Sequence, residues 1–190
     1  MKHSLSAIYS GPARESTRLR SGEDDIMPLF LSRLESPLGE LRLVTDTERT
    51  IRALDFATHP ARMHRSVREH YGNDALADAP APDEIAQAIA RYFSGEISAI
   101  DSLVTATVGS DLQRTVWAAL CGIPAGTTTT YGKLAKELGL DDPRAAIDVG
   151  AAIGANPIAI IVPCHRVIAS NGELRGYAWG LNRKRWLLEH

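Results

Sequence analysis

Along this chain of 190 residues the spacing of apolar positions changes character near residue 110. Before it, short apolar-rich runs at 28–35, 40–45 and 51–56 predict strands. Pro37 and Gly39 mark the first turn between them, and Thr47, Glu48 and Arg49 the second. Residues 62–71 read as a surface helix, and 75–82 as an Ala/Asp/Pro loop. Asp83 stands as the N-cap of a helix through Phe93, with Ile85, Ala88, Ile89 and Tyr92 as its apolar face and Ser94-Gly95 as its stop. From Ser110 onward the spacing is helical: Leu112, Val116, Trp117 and Leu120 form one stripe, and Cys121 extends it as a core residue. Thr130 leads into a helix over 132–138, and Pro143 opens another over 144–154. Two short helices with a tight glycine-containing connection predict a helix-turn-helix. The last helix, 181–189, carries Arg183, Lys184 and Arg185, a run that suits a solvated face as well as a phosphate contact.

This pattern divides the chain into a polar leader without periodicity at 1–27, an α/β domain with a small antiparallel sheet at 28–105, and a mainly helical domain at 106–190. Hydrophobic residues make up 44% of the sequence, enough for a real core, and no run approaches the ~18 apolar residues of a membrane span. The formal net charge of −2 gives no global attraction to nucleic acid. Two cysteines, Cys121 and Cys164, make no disulfide framework, and no spacing of Cys or His suits a metal. Free thiols and the lack of an apolar export segment point to the cytoplasm.

The chemistry concentrates in Pro163-Cys164-His165-Arg166, after the apolar run Ile158-Ala159-Ile160-Ile161-Val162. That run predicts a strand delivering one thiol beside a histidine and an arginine, both able to favour the reactive thiolate. Asn156-Pro157 introduces it; Val167-Ile168-Ala169-Ser170-Asn171-Gly172 and Gly176-Tyr177-Ala178-Trp179-Gly180-Leu181 follow. Upstream stand Val116-Trp117-Ala118-Ala119-Leu120, Ile123-Pro124-Ala125-Gly126 and Thr130-Tyr131-Gly132-Lys133-Leu134-Ala135.

This ordered series resembles the O6-alkylguanine-DNA alkyltransferases, strongly over 111–190 and more weakly, through Ser36-Pro37-Leu38-Gly39, back to about residue 28. The resemblance implies a winged helix-turn-helix in the second domain. It also implies cofactor-free, single-turnover transfer of an alkyl group from O6-alkylguanine in DNA, with O4-alkylthymine as a further candidate, onto Cys164. By the same resemblance His165 is the activating base through a water, Asn156 braces the turn, and Tyr131 protonates a guanine ring nitrogen. The Val167 carbonyl would take the guanine amino group, the Ala178 amide would face the exocyclic oxygen, and Tyr177 would form an apolar wall. Trp179 would either narrow the entrance, favouring methyl over benzyl groups, or cap the core. Arg144, Ile147 and Arg166 fall in the DNA-binding segment, although Arg166 suits a structural hydrogen bond better. The partner implied is alkylated DNA, bound by a monomer with no membrane involvement.

Two departures qualify this picture. Ile147 stands where the resemblance places an intercalating arginine, with Asp148 beside it; an apolar side chain can wedge a base step but cannot bond an orphaned base. From Ser110 to Ile160 four positive residues face five negative ones, which predicts weak duplex affinity; 161–190 carries five positive against two negative. The glutamate that would orient His165 falls just after position 190, and Glu189, two positions earlier, points to nearly the opposite side of its helix. Two further readings follow: an alkyl acceptor for single-stranded or non-DNA substrates, and a lesion-binding module without transfer, against which Cys164 itself counts.

Overall fold

The computed structural model describes residues 27–72 and 75–190, so the leader expected at 1–27 lies almost wholly outside the described residues. The chain opens with strands β1 (Leu29–Leu34), β2 (Leu41–Thr45) and β3 (Ile51–Phe56), then helix α1 (Pro60–Tyr71), strand β4 (Leu76–Asp78) and helix α2 (Asp83–Phe93). The sheet order is β3-β2-β1-β4. β1, β2 and β3 pair antiparallel as the sequence implies, but β4 joins β1 in parallel, so the sheet is mixed. Three residues from an Ala/Asp-rich loop carry no strand signature of their own; α1 returns the chain to the β1 edge and the pairing decides their conformation.

Both turns are fixed by side chains. Ser36 Oγ accepts from Leu38 N at 3.2 Å and donates to Gly39 O at 2.6 Å, where Gly39 takes a φ of +103°. Asp46 accepts from the Glu48 and Thr50 amides, both at 2.9 Å, and holds Arg49 at a φ of +63°. Alternation gives the sheet two faces. Leu31, Val44 and Ala53 lie under Met63 and Val67 of α1, one helical turn apart. Leu41, Leu43, Leu54 and Phe56 face the other way, into a core continuous with the helical domain.

α2 buries the four residues its spacing predicts, but Asp83 is its first helical residue; Pro82 holds the cap position without a side-chain bond. α3 (Asp111–Cys121) is closed by a capping box in which Ser110 and Gln113 exchange side-chain and backbone bonds. It buries Val116, Trp117 and Leu120, and the Trp117 indole donates to Ala152 O at 2.8 Å. Cys121, expected in the core, is exposed on the last turn. Thr130 caps α4 (Tyr131–Glu137), and α5 (Ala145–Gly154) follows across a connection turning at Gly139, φ +72°. The pair is the predicted helix-turn-helix. β5 (Thr129–Thr130) and β6 (Val167–Ile168) pair in parallel, and α6 (Leu181–Glu189) ends the chain. Among the described residues no helix is long and apolar enough to cross a membrane.

The two parts are welded at β3. Leu54 donates its amide to Pro157 O at 3.0 Å and accepts from Ala159 N at 2.8 Å, extending the sheet by one bridge into the segment before Cys164. Beside it Asp55, 2% exposed, accepts from Arg62 at 3.0 Å and from the Trp179 indole. Arg62 also donates to Gly154 O (3.2 Å) and Asn156 O (2.9 Å), and its guanidinium lies 4.5 Å over the Trp179 ring. Burial raises the Asp55 pKa, and Arg62, then Trp179, pull it back down. Removing one member of a buried ion pair strands its partner, at about 3–5 kcal/mol. Arg62→Ala should therefore cost several kcal/mol in a denaturant titration, and a change below about 0.5 kcal/mol, the range of an ordinary surface substitution, would contradict this joint.

Candidate active site

The apolar run before Cys164 is not a strand. After the single bridge at Ile158 the backbone folds into two consecutive γ-turns. Ile161 N bonds Ala159 O at 2.7 Å around Ile160, whose φ is +69°; Cys164 N bonds Val162 O at 2.8 Å around Pro163, at φ −81° and ψ 59°. A β-branched residue at positive φ costs on the order of 1–3 kcal/mol, so the surroundings must impose it. Asn156, fully buried, does so. Its amide nitrogen donates to Ile158 O (3.1 Å) and Val162 O (3.0 Å), and its oxygen accepts from Ile158 N (2.9 Å). Apolar composition suits a buried strand and a buried turn equally, which is why the run misleads.

Cys164 begins a single 3-10 turn (Cys164–Arg166) that leads into β6. It is 3% exposed. Burial pushes its thiol up to about 11, against the opposing pull of the Asn156 side chain and of the Lys184 and Arg62 charges. Neither neighbour expected to activate it is among the groups that pull its thiol down. His165 is buried and held down to about 3, by desolvation first and then by Arg166 and Lys184, so it is a neutral imidazole. Its Nδ1 is buried without a hydrogen-bond partner among the described residues. Arg166 donates to Ile123 O at 2.7 Å, a structural bond that takes it away from the DNA-binding role.

A cleft of about 590 Å³ is walled by Tyr131, Ala146, Gly150, Gly176, Tyr177 and Ala178. Ala146 and Gly150 are one turn apart on α5 and present a flat face. Gly176 is required: at φ +55° a side chain would be strained, and its Cβ would sit 3.1 Å from Tyr131 Oη. Cys164 lies behind this wall, close enough that its charge raises the pKa of both Tyr131 and Tyr177 beyond the larger effect of burial. The Tyr131 hydroxyl donates to Arg175 O at 3.0 Å. The Tyr177 hydroxyl is buried without a partner among the described residues, and its ring meets Trp179 edge-on at 5.0 Å.

Cys164, Asn156, Tyr131 and Tyr177 are thus brought together, Ala178 shares the cleft wall, and His165 and Val167 follow the thiol in its turn and in β6. Trp179 does not join them: 2% exposed, it packs on Phe56 and Arg62 and bonds Asp55, so it seals the junction of the two parts rather than the cleft entrance. On the rim, Ile147 is 70% exposed next to Ala146 of the cleft wall, flanked by exposed Asp148 and Arg144. The terminal basic run dissolves on inspection. Arg183 bonds Leu38 O, Thr58 Oγ1 and Trp179 O and stacks over Phe56; Lys184 is buried; Arg185 alone is exposed. Lys184, expected on a solvated face or at a phosphate, is instead buried and donates to Val167 O and Arg175 O, both at 2.7 Å. Its spacing gave a signal: positions 184 and 187 are the buried residues of α6. Among the described residues no three His, Cys, Asp or Glu side chains group as metal ligands.

Two family models match. Residues 29–106 match the 6-O-methylguanine DNA methyltransferase, ribonuclease-like domain, and 111–190 the 6-O-methylguanine DNA methyltransferase, DNA binding domain. A methylated-DNA–protein-cysteine methyltransferase of Salmonella typhimurium is 44% identical over 167 residues, covering 87% of this chain and 96% of that protein. The protein of the same name from Methanosarcina barkeri is 40% identical over 85% of this chain and 96% of its own length. A crystal structure of Mycobacterium tuberculosis OGT in complex with DNA superposes with a TM-score of 0.70 at 36% identity, covering 84% of this chain and 91% of that one.

Proposed function

Because the chain belongs to the 6-O-methylguanine DNA methyltransferase family, we propose that it repairs alkylated DNA by moving the alkyl group from the guanine O6 onto Cys164. The observation that carries this is the thiol itself, held by the Asn156-braced turns next to a neutral histidine in the chain and behind the cleft that Tyr131, Gly176, Tyr177 and Ala178 wall. His165, through a water, takes the thiol proton. The sulfur lone pair attacks the alkyl carbon in line, the carbon–oxygen bond breaks, and its electron pair leaves on O6. Tyr131 gives its proton to a ring nitrogen of the departing guanine and regains one from the imidazolium or solvent. The product is a thioether with no hydrolytic route back, so each molecule acts once.

Desolvation makes the thiol weakly acidic, so forming the thiolate at pH 7 from a thiol at about 11 costs about 5 kcal/mol. The burial and neighbouring cations that keep His165 neutral also make it a weak base, so it relays the proton only as sulfur attacks and guanine leaves, and no buried ion stands in the resting site. The target carbon is inaccessible inside a stacked duplex, so the nucleotide leaves the stack to reach the cleft. Ile147, on the rim, fills the gap by shape. The division into a domain at 28–105 and an alkyl-transfer domain at 106–190 is supported by the two matched segments. A reactive thiol suits a reducing cytoplasm, and we take the protein to act there as a monomer. Relatives named for methylated DNA favour DNA over a non-DNA acceptor or a transfer-incompetent binding module.

Cys164→Ser should abolish transfer of a radiolabelled methyl group from an O6-methylguanine oligonucleotide, while Cys121→Ser transfers normally. Label on the Cys164 variant but not on the Cys121 variant would overturn the assignment.

Duplex affinity is weak in this proposal, since the helical face offers few cations and Asp148 repels phosphate. Ile147→Arg should tighten duplex binding roughly tenfold at low salt and steepen its salt dependence. Tight wild-type binding with a steep salt slope would refute the charge argument.

A further inference from the structure

Lys184 has no exposed surface, and among the described residues no carboxylate pairs with it. An ammonium in such a place is costly where a methionine or leucine would pack as well, so something must offset its desolvation. Its two bonds are to backbone carbonyls at either side of the site: Val167 O, directly after the Cys164–Arg166 turn, and Arg175 O, in the loop that walls the cleft. The Arg175 carbonyl also receives the Tyr131 hydroxyl, so one lysine ties together β6, the 169–180 loop and the first residue of α4.

We infer that Lys184 is a positioning residue of the alkyl transfer: its buried ammonium locks the Val167 and Arg175 carbonyls and supplies the positive charge that the Cys164 thiolate faces. The inference rests on Cys164 being the alkyl acceptor.

The charged and titratable groups facing Cys164 leave few alternatives. Arg62, from α1, is balanced by Asp55. Arg166 is engaged with Ile123 O, His165 is neutral, and Tyr131 and Tyr177 bring no cation. Of the two cations that act on Cys164, Arg62 and Lys184, Lys184 is the one without a carboxylate partner among the described residues, and Cys164 is the one charge that acts back on it, raising its pKa against the larger lowering by burial.

The test is a thiolate titration by ultraviolet absorbance in a Cys121→Ser background, alongside single-turnover methyl transfer from an O6-methylguanine oligonucleotide across pH. Lys184→Met and Lys184→Gln should each move the Cys164 midpoint up by one pH unit or more. Transfer at pH 7.5 should fall at least tenfold, and the deficit should shrink as pH rises and the thiol ionises unaided. An unmoved midpoint with the same loss at every pH would overturn the inference, leaving Lys184 a packing residue. If neither variant folds, Lys184→Arg decides: it keeps the charge and should transfer at pH 7.5 within threefold of the parent, and a tenfold loss that is the same at every pH would overturn the inference. The thiol titration needs no substrate. A protein that titrates as described but accepts no alkyl group fails the proposed function alone; one that transfers normally with an unmoved midpoint fails this inference alone.

Discussion

A thiol that must become a nucleophile sits where water cannot solvate its anion, and most of the site follows from that one constraint. Burial lifts Cys164 to about 11, and no bulk solvent is available to bring it down. What remains is local: the Asn156 amide, the Lys184 ammonium, and a histidine kept neutral by burial and by the Arg166 and Lys184 charges. The same dry environment strengthens each of these interactions, since charge and dipole act through a low dielectric there. It also keeps the thiol from oxidants and adventitious electrophiles until a ligand of the right shape fills the cleft.

Holding the sulfur in that position takes backbone strain, and the strain needs a frame. Ile160 at positive φ survives because Asn156 bonds both ends of its turn, and Asn156 is in turn pinned through its own carbonyl by Arg62. Arg62 answers to Asp55, and Asp55 to Trp179. The small sheet therefore reaches the reactive loop twice, by the Leu54 bridge and by this polar cluster. An N-terminal domain that contributes no cleft residue still determines the geometry of the thiol. Trp179, beside the cleft in sequence, faces the sheet for this reason.

Much of this was readable from the residues alone. Helix positions and apolar faces followed from periodicity, and the Asn156, Pro163–Arg166 and Tyr131 motifs mark the candidate site. What escaped has physical causes. β4 is a strand because a partner edge is available, not because Leu76–Asp78 favours one. A run such as Ile158–Val162 says that a segment is buried, not how it bends; the γ-turns depend on Asn156 side-chain bonds. Charge type fixes neither exposure nor role: in Arg183-Lys184-Arg185 one cation packs on Phe56, one is buried beneath the site and one meets solvent. Adjacency in sequence likewise points to His165 and Arg166 as the charges beside the thiol, whereas the charges that pull its pKa down come from Lys184 of α6 and Arg62 of α1.

The direct measurement is intact-protein and peptide mass spectrometry after incubation with an excess of O6-methylguanine duplex. One methyl group per chain, located on Cys164 and not increasing with time, is the predicted result. No adduct, an adduct on Cys121, or restored guanine exceeding one equivalent per chain would contradict a buried, once-only acceptor.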